Sequence, residues 1–241
     1  MLSNLNIRNV IFIDIETAPA APVFDELAEN WQRLWQHKMQ YKIDEGEDIS
    51  VLYQRAGIYA EFGRIICISA GYIADQDGEQ VYRVKSFYDE DEAALLTGFF
   101  GAMEKFAKQG KTQLCAHNGY EFDFPFIARR ALVLGVKLPP VLALAGARPW
   151  EIKEQLLDTM QLWKFGDYKH YTSLSLLCEL FGIPTPKDDI DGSQVHRVYW
   201  VEKDIDRIVR YCEKDTLAVA SLLLRYKGLP IISPENMISL K

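Results

Sequence analysis

Apolar and polar positions divide this chain into segments of different period. Residues 9–16 read as a strand, with Phe12, Asp14 and Glu16 on one face and Ile11, Ile13 and Ile15 on the other. Residues 25–40 have helical spacing, with Leu27, Trp31, Leu34, Trp35 and Met39 on one stripe. Residues 41–60 are polar and show no clear period. Two strands, 62–73 and 80–88, flank the turn sequence "DQDG" and predict a hairpin. The stretch beginning at Asp89 opens on acids and closes at Gly110, the punctuation of a helix. A short strand over 112–118 and a helix ending near Gly135 follow. "LLDTMQLWK" reads as a strand leading into a turn, 172–182 as a helix capped by Thr172 or Ser173, and about 202–227 as a last long helix.

A leading antiparallel group followed by strand–helix units implies an α/β fold, a mixed sheet with helices on both faces. No repeat, low-complexity tract or linker divides the chain, so residues 1–241 read as one domain. Within it, 25–60 is expected to be a helical insertion and 228–241 a C-terminal tail.

Composition narrows the function classes. The chain is 49% hydrophobic and 25% charged, enough for a sizeable core and too low in glycine and proline for a disordered or fibrous protein. Its longest apolar runs are broken by Lys137, Pro139 and Pro140 and fall short of the roughly 18 residues of a membrane span. Arg8 and Asp14 come too early for a secretory signal. Four scattered cysteines form no CxxC pair, which points to reduced thiols in a cytoplasmic protein. A net charge of −7 argues against a general polyanion binder and confines any nucleic-acid contact to a local, metal-centred one.

The chemistry lies in the carboxylates. Asp14 and Glu16 side by side at the end of a buried strand repel, and burial raises the cost of ionising both. A divalent cation would offset that cost; the alternative is that both lie past the strand's end, in water. Asp123 falls in the first turn of a helix, on the side of Phe126 and Ile127, where it either serves a site or complements the helix dipole. On the last helix, Ile205, Ile208, Val209, Cys212, Thr216, Val219 and Leu223 form a core stripe. Tyr211 and Asp215 share its edge, four residues apart. An aspartate there needs a partner, for which Arg129 or Arg130 would serve as well as a metal.

Taken in order, "Asp-x-Glu" at 14–16, "Asn-x-x-x-Phe-Asp" at 118–123 and "Tyr-x-x-x-Asp" at 211–215 resemble the three motifs of the DEDD (DnaQ-like) superfamily of 3′–5′ exonucleases. Arg210 occupies the position of the histidine variant, so the resemblance is to the DEDDy branch. "GRIICIS", "LLDTMQL", "SLSLLCELFGIP" and "DGSQV" resemble stand-alone bacterial relatives of the exonuclease domain of family-B DNA polymerases. The resemblance implies a ribonuclease H-like fold with no polymerase domain attached. It implies two divalent cations, Mg²⁺ or Mn²⁺, held by Asp14, Glu16, Asp123 and Asp215, with Tyr211 orienting the attacking water. The expected reaction releases nucleoside 5′-monophosphates from the 3′ end of single-stranded nucleic acid, DNA in preference to RNA. An RNA-trimming enzyme or a non-catalytic binding module on the same fold are the alternatives. Thr17, Asn118, Tyr120 and Phe122 are the expected substrate contacts. His117 and Asp158 are expected to be structural, Asp188, Asp189 and Asp191 to form a solvated turn, and Trp31 and Trp35 to be core or interface.

Overall fold

A computed structural model describes residues 2–107, 110, 112–167, 171–184 and 189–240. The first strand, β1 (Val10–Pro19), leads into α1 (Glu29–Asp44) and the short α2 (Ile49–Tyr53). The hairpin β2 (Gly63–Gln76) and β3 (Glu79–Phe87) precedes α3 (Glu92–Ala107), β4 (Gln113–Ala116) and α4 (Asp123–Val133). After them come α5 (Pro149–Gln155), β5 (Leu156–Asp158), α6 (Thr159–Lys164) and α7 (Leu174–Phe181). The chain closes with α8 (Val195–Arg197), a π turn at Val198–Glu202, α9 (Ile205–Tyr226) and β6 (Met237–Leu240).

The strands form one mixed sheet in the order β5-β4-β1-β2-β3-β6. β1 lies inside it, antiparallel to β2 and parallel to β4, and is covered on both faces. Ile11, Ile13 and Ile15 pack with Leu96, Phe99 and Ile127 of α3 and α4. Val10 and Phe12 pack with Val219 and Leu223 of α9 on the other side. The period-two pattern of β1 therefore sorts its side chains between two cores and puts Asp14 and Glu16 on the α9 side. The expected mixed sheet with helices on both faces is what the chain forms.

Several elements differ from the sequence reading for identifiable reasons. The "LLDTMQLWK" strand is only three residues long, because the Asp158 side chain accepts the backbone N–H groups of Met160 and Gln161 and starts α6. The last long helix starts at Ile205, capped by Asp204, whose side chain accepts from the Arg207 N–H. Residues 41–60 include α2, started by Asp48 accepting from Ser50 and Val51. On α1 only Trp35 and Met39 are buried; Trp31 and Leu34 stay about half exposed because the helix packs along a narrow seam. In the segment expected as a tail, β6 pairs in parallel with β3, and the Ser239 hydroxyl donates to the buried Glu213 carboxylate at 2.7 Å. The Ser86 hydroxyl donates to the same carboxylate oxygen at 2.8 Å, so Glu213 joins α9 to β3 and β6.

One ion pair braces the far side of the sheet. Arg130 of α4 makes two hydrogen bonds to Glu92 of α3, at 2.9 and 2.6 Å, and a third to the Ala60 carbonyl. Glu92 also accepts the Ile65 backbone N–H at 2.7 Å. Both side chains are largely buried, so removing the guanidinium strands a carboxylate among apolar neighbours. Arg130→Ala is expected to cost about 3–5 kcal/mol of stability, more than Arg130→Met with Glu92→Leu combined, as urea denaturation would measure.

Candidate active site

Three elements bring the acids together. β1 supplies Asp14 and Glu16, and the register with β2 shifts between Glu16 and Thr17. Such a bulge bends a strand and re-aims its side chains at a sheet's rim. Asp123 is the first residue of α4, and its carboxylate accepts a hydrogen bond from the Ile15 backbone. Asp215 and Tyr211 lie one turn apart on α9, which crosses β1 and β2, and the Tyr211 hydroxyl donates to Asp215.

The loop before α4 is shaped by what holds it. Asn118 is left-handed, at φ +61°, a conformation asparagine tolerates better than most residues. A Cβ on Gly119 would fall 2.6 Å from the Ala116 Cβ and 2.7 Å from the Phe124 ring, so only glycine fits. Buried Asp158 accepts from the backbone N–H of Asn118 at 3.0 Å and of Tyr120 at 3.1 Å while capping α6. One carboxylate thus fixes both the loop that delivers Asp123 and the start of the next helix. His117 has both ring nitrogens engaged: Nε2 donates to the Thr172 carbonyl and Nδ1 pairs with the Thr159 hydroxyl. Burial lowers its pKa, and its role is structural.

The electrostatics are those of crowded, buried acids. Glu16, Asp123 and Asp215 are buried, and Asp14 Oδ2 is buried with no hydrogen-bond partner among the described residues. Burial pushes Asp14 and Glu16 far above the usual carboxylate range, and in both Asp215 is the next largest cause. Burial also raises Asp123 to about 7, against the pull of backbone hydrogen bonds and with further push from Asp158 and Asp215. Desolvation, then the neighbouring acids, keep the Tyr211 phenol protonated. The alternative partners for Asp215 are otherwise placed: Arg130 is committed to Glu92, and Arg129 lines a separate apolar cavity.

The expected substrate contacts divide. Thr17 and Phe122 line a cavity of about 740 Å³ beside Glu16. Asn118 has a buried Oδ1 that no group among the described residues pairs with. Tyr120 is placed otherwise than expected: its hydroxyl donates to the Leu156 carbonyl at 2.9 Å and its ring lines the apolar cavity with Arg129. That hydrogen bond uses its polar end for packing. Of the "KDDIDG" acids, Asp189 pairs with Arg207 at 2.6 Å and Asp191 caps its own turn through Ser193, while Asp188 lies outside the described residues. Two neighbours escaped the sequence reading. The Cys212 sulfur and carboxylate oxygens of Asp14 and Glu16 lie within 4.8 Å of one another, and Tyr171 is close enough to feel Asp123 and Asp215. Cys212, three residues before Asp215, was legible as a site neighbour by helical spacing; Tyr171 carried no signal.

A mixed sheet of this order, with acids gathered from β1, α4 and α9, defines a ribonuclease H-like architecture. Residues 57–230, more than half the chain, match a family described as predicted 3′–5′ exonucleases related to the exonuclease domain of PolB. The chain belongs to that family. The matched span includes Asp123, Tyr211 and Asp215 and begins after Asp14 and Glu16. A DNA polymerase of Pyrococcus glycovorans is 25% identical over 185 residues, which is 70% of this chain and 23% of the polymerase. The structure of the family B DNA polymerase from the hyperthermophilic archaeon Pyrobaculum calidifontis superposes with a TM-score of 0.52 at 16% identity. It covers 90% of this chain and 24% of its own, so the chain spans about a quarter of the length of these relatives. Exonuclease domains of this kind use divalent metals, and the oxygen-rich donor set with its orphaned Asp14 oxygen fits such an ion.

The raised acids make a prediction about the metal-free protein. A carboxyl whose folded pKa exceeds its unfolded value binds protons more tightly when folded, so stability falls as pH rises through that interval. For Asp123 the interval runs from the ordinary 3.8 to about 7. In EDTA, wild type should melt at a lower temperature at pH 8 than at pH 6, and Asp14→Asn should flatten that dependence and melt higher at pH 8. Differential scanning fluorimetry decides; an unchanged or steeper pH dependence in the variant would show that the acids do not repel.

Proposed function

We propose that this chain is a metal-dependent 3′–5′ exonuclease that removes nucleoside 5′-monophosphates from single-stranded nucleic acid, DNA above all. The observation that carries this reading is that acids from three separate elements, Glu16, Asp123 and Asp215, all act on Asp14, which keeps a buried oxygen with no partner among the described residues. A structural network would bring cations to such acids; among the described residues Asp14, Glu16 and Asp123 pair with none and are pushed up by burial and by their acidic neighbours.

Asp14, Glu16, Asp123 and Asp215 would hold the ions, and Asp14 feels the charge of the other three. Carboxylate oxygens suit Mg²⁺ or Mn²⁺. Bound there, divalent ions make water a nucleophile at neutral pH and stabilise charge on the attacking and leaving oxygens. The protein's own groups set the geometry. Tyr211 stays a neutral phenol, too weakly acidic to serve as a base, and its place beside Asp215 suits it to orient a water by hydrogen bonding. Thr17 and Phe122, beside Glu16, would border the terminal nucleotide.

Digestion of 5′-labelled DNA and RNA strands of one sequence, with Mg²⁺, Mn²⁺ or EDTA, tests the reading. A ladder shortening from the 3′ end and 5′-monophosphate products are expected; cleavage of a closed circular strand, or full activity in EDTA, would overturn it. A faster rate on the RNA strand would make the protein a ribonuclease with the same site.

Tyr211 and Asp215 should separate in single-turnover rates. Groups that orient or transfer protons typically contribute on the order of 10²–10⁴ in rate, so Tyr211→Phe should keep measurable activity at high Mn²⁺. Asp215→Ala loses a metal ligand and should keep essentially none. Equal activity of the two variants would remove Asp215 from the ligand set.

A further inference from the structure

The segment between β1 and β2 folds around a small core of its own. Buried Trp35 meets Tyr53, Tyr59 and Phe62 edge-on, with ring centres 5.7, 5.8 and 5.0 Å away. Leu52, Tyr53 and Ala56 are buried in the same cluster, and the Tyr53 hydroxyl accepts the Ala21 N–H at 3.1 Å, fastening the unit to the chain just past β1. Gly57 sits so close to that strand that a Cβ would lie 3.1 Å from the Ala18 backbone. One side of α2 and the turn after it is therefore committed to packing.

The other side is not. Val51, Arg55 and Ile58 recur at the spacing of one helix side. Val51 and Ile58 are 55% and 57% exposed. With Gln54 they form one wall of the 740 Å³ cavity, whose floor is β1 from Ile15 to Pro19, Glu16 included. The 192–197 segment lines the same cavity with Gln194, His196 and Arg197. It is tied to the same strand's end: His196 donates to the Pro22 carbonyl and the Trp200 indole to the Pro19 carbonyl, both at 3.0 Å. Glu16 is the one acid among the described residues lining this cavity, in a chain of 34 acidic and 27 basic residues. Arg55 has no ion pair among the described residues, and Arg197 is 60% exposed beside Glu202, which also serves Arg207.

We propose that α2 with its following turn and the 192–197 segment are two jaws of a clamp. It holds a single polynucleotide strand by the nucleotides adjoining the one at the acids. This rests on the nuclease reading for what happens at Glu16, and adds where the rest of the strand lies. Phosphates would meet Arg55 and Arg197; base faces would meet Val51, Ile58 and Phe122. Guanidinium groups interleaved with exposed apolar side chains suit a single strand, whose bases are free to pack. The volume falls in the roughly 300–1,000 Å³ range of small-ligand sites, too small for a duplex.

The test is fluorescence anisotropy of a 5′-fluorescein-labelled ten-nucleotide DNA strand in Ca²⁺ over a salt series, with strand integrity followed on gels. A parallel measurement compares kcat/KM on that strand with kcat/KM on a dinucleotide in Mn²⁺. The full chain is compared with Arg55→Gln, Arg197→Gln and Val51→Glu, all at exposed positions, and with Lys153→Gln as a remote charge control. Each jaw variant should bind about tenfold more weakly, and the arginine variants should flatten the slope of log K against log salt by about 0.7. Their preference for the longer strand should fall in parallel, while Lys153→Gln matches wild type. Jaw variants that bind like wild type, or a wild type that binds no strand, overturn the clamp whatever the nuclease assay shows. A wild type that binds through these residues but cleaves nothing leaves the clamp standing and sinks the nuclease reading.

Discussion

Four carboxylates, three of them buried and the fourth partly so, lie close enough to raise one another's pKa, and that repulsion is the constraint around which the rest of this structure is arranged. Left to relax, the elements bearing them would part. β1 cannot part from anything, since it is bonded on both edges and buried on both faces. α9 is held over it by a core stripe from Ile208 to Leu223 and by the bonds from Ser86 and Ser239 to Glu213. α4 is held by Arg130 reaching Glu92 and by the Asp158-fastened loop at its start. The apolar packing of the whole sheet thus works against a local electrostatic cost, as expected where a site awaits a cation.

This arrangement explains why some acids are functional candidates and others are scaffolding. Asp158, Glu92 and Glu213 are as buried as Asp123, but each accepts several hydrogen bonds from neighbouring groups. Asp14 differs in keeping a buried oxygen for which the described residues offer no donor. Burial alone does not single out Asp14, nor does accepting hydrogen bonds single out the scaffolding acids, since Asp123 accepts them too; the oxygen left without a donor is what sets Asp14 apart.

Much of this was readable in the residues. The alternation of "IFIDIET" placed Asp14 and Glu16 on one face because a buried strand leaves its side chains no freedom to choose. The spacing of Tyr211 and Asp215 placed them together for the same reason on a helix. What could not be read depended on contacts made across the fold. β6 is four residues long and owes its place to an edge of β3, which no short-range period announces. Tyr120, three residues before Asp123, turns away because the Leu156 carbonyl lies within reach of its hydroxyl. α2 has only five residues, and its apolar positions make sense only against Trp35.

The sign of the chain's charge becomes intelligible at the same point. An acidic protein that engages a polyanion faces long-range repulsion, which screening limits to about 8 Å at physiological salt. Attraction then has to be local. On the proposed reading the acids that would repel a phosphate are the ones neutralised by bound cations, and the cavity beside them is walled by arginines, amides and aliphatic side chains, with Glu16 the single acid among its described lining residues. A strand would be drawn in over the last few ångströms only, where its contacts are to specific groups. Such a protein gains little from sliding along duplex DNA, which a basic surface favours. It is better suited to ends and unpaired stretches, where bases can leave the stack and meet Val51, Ile58 and Phe122.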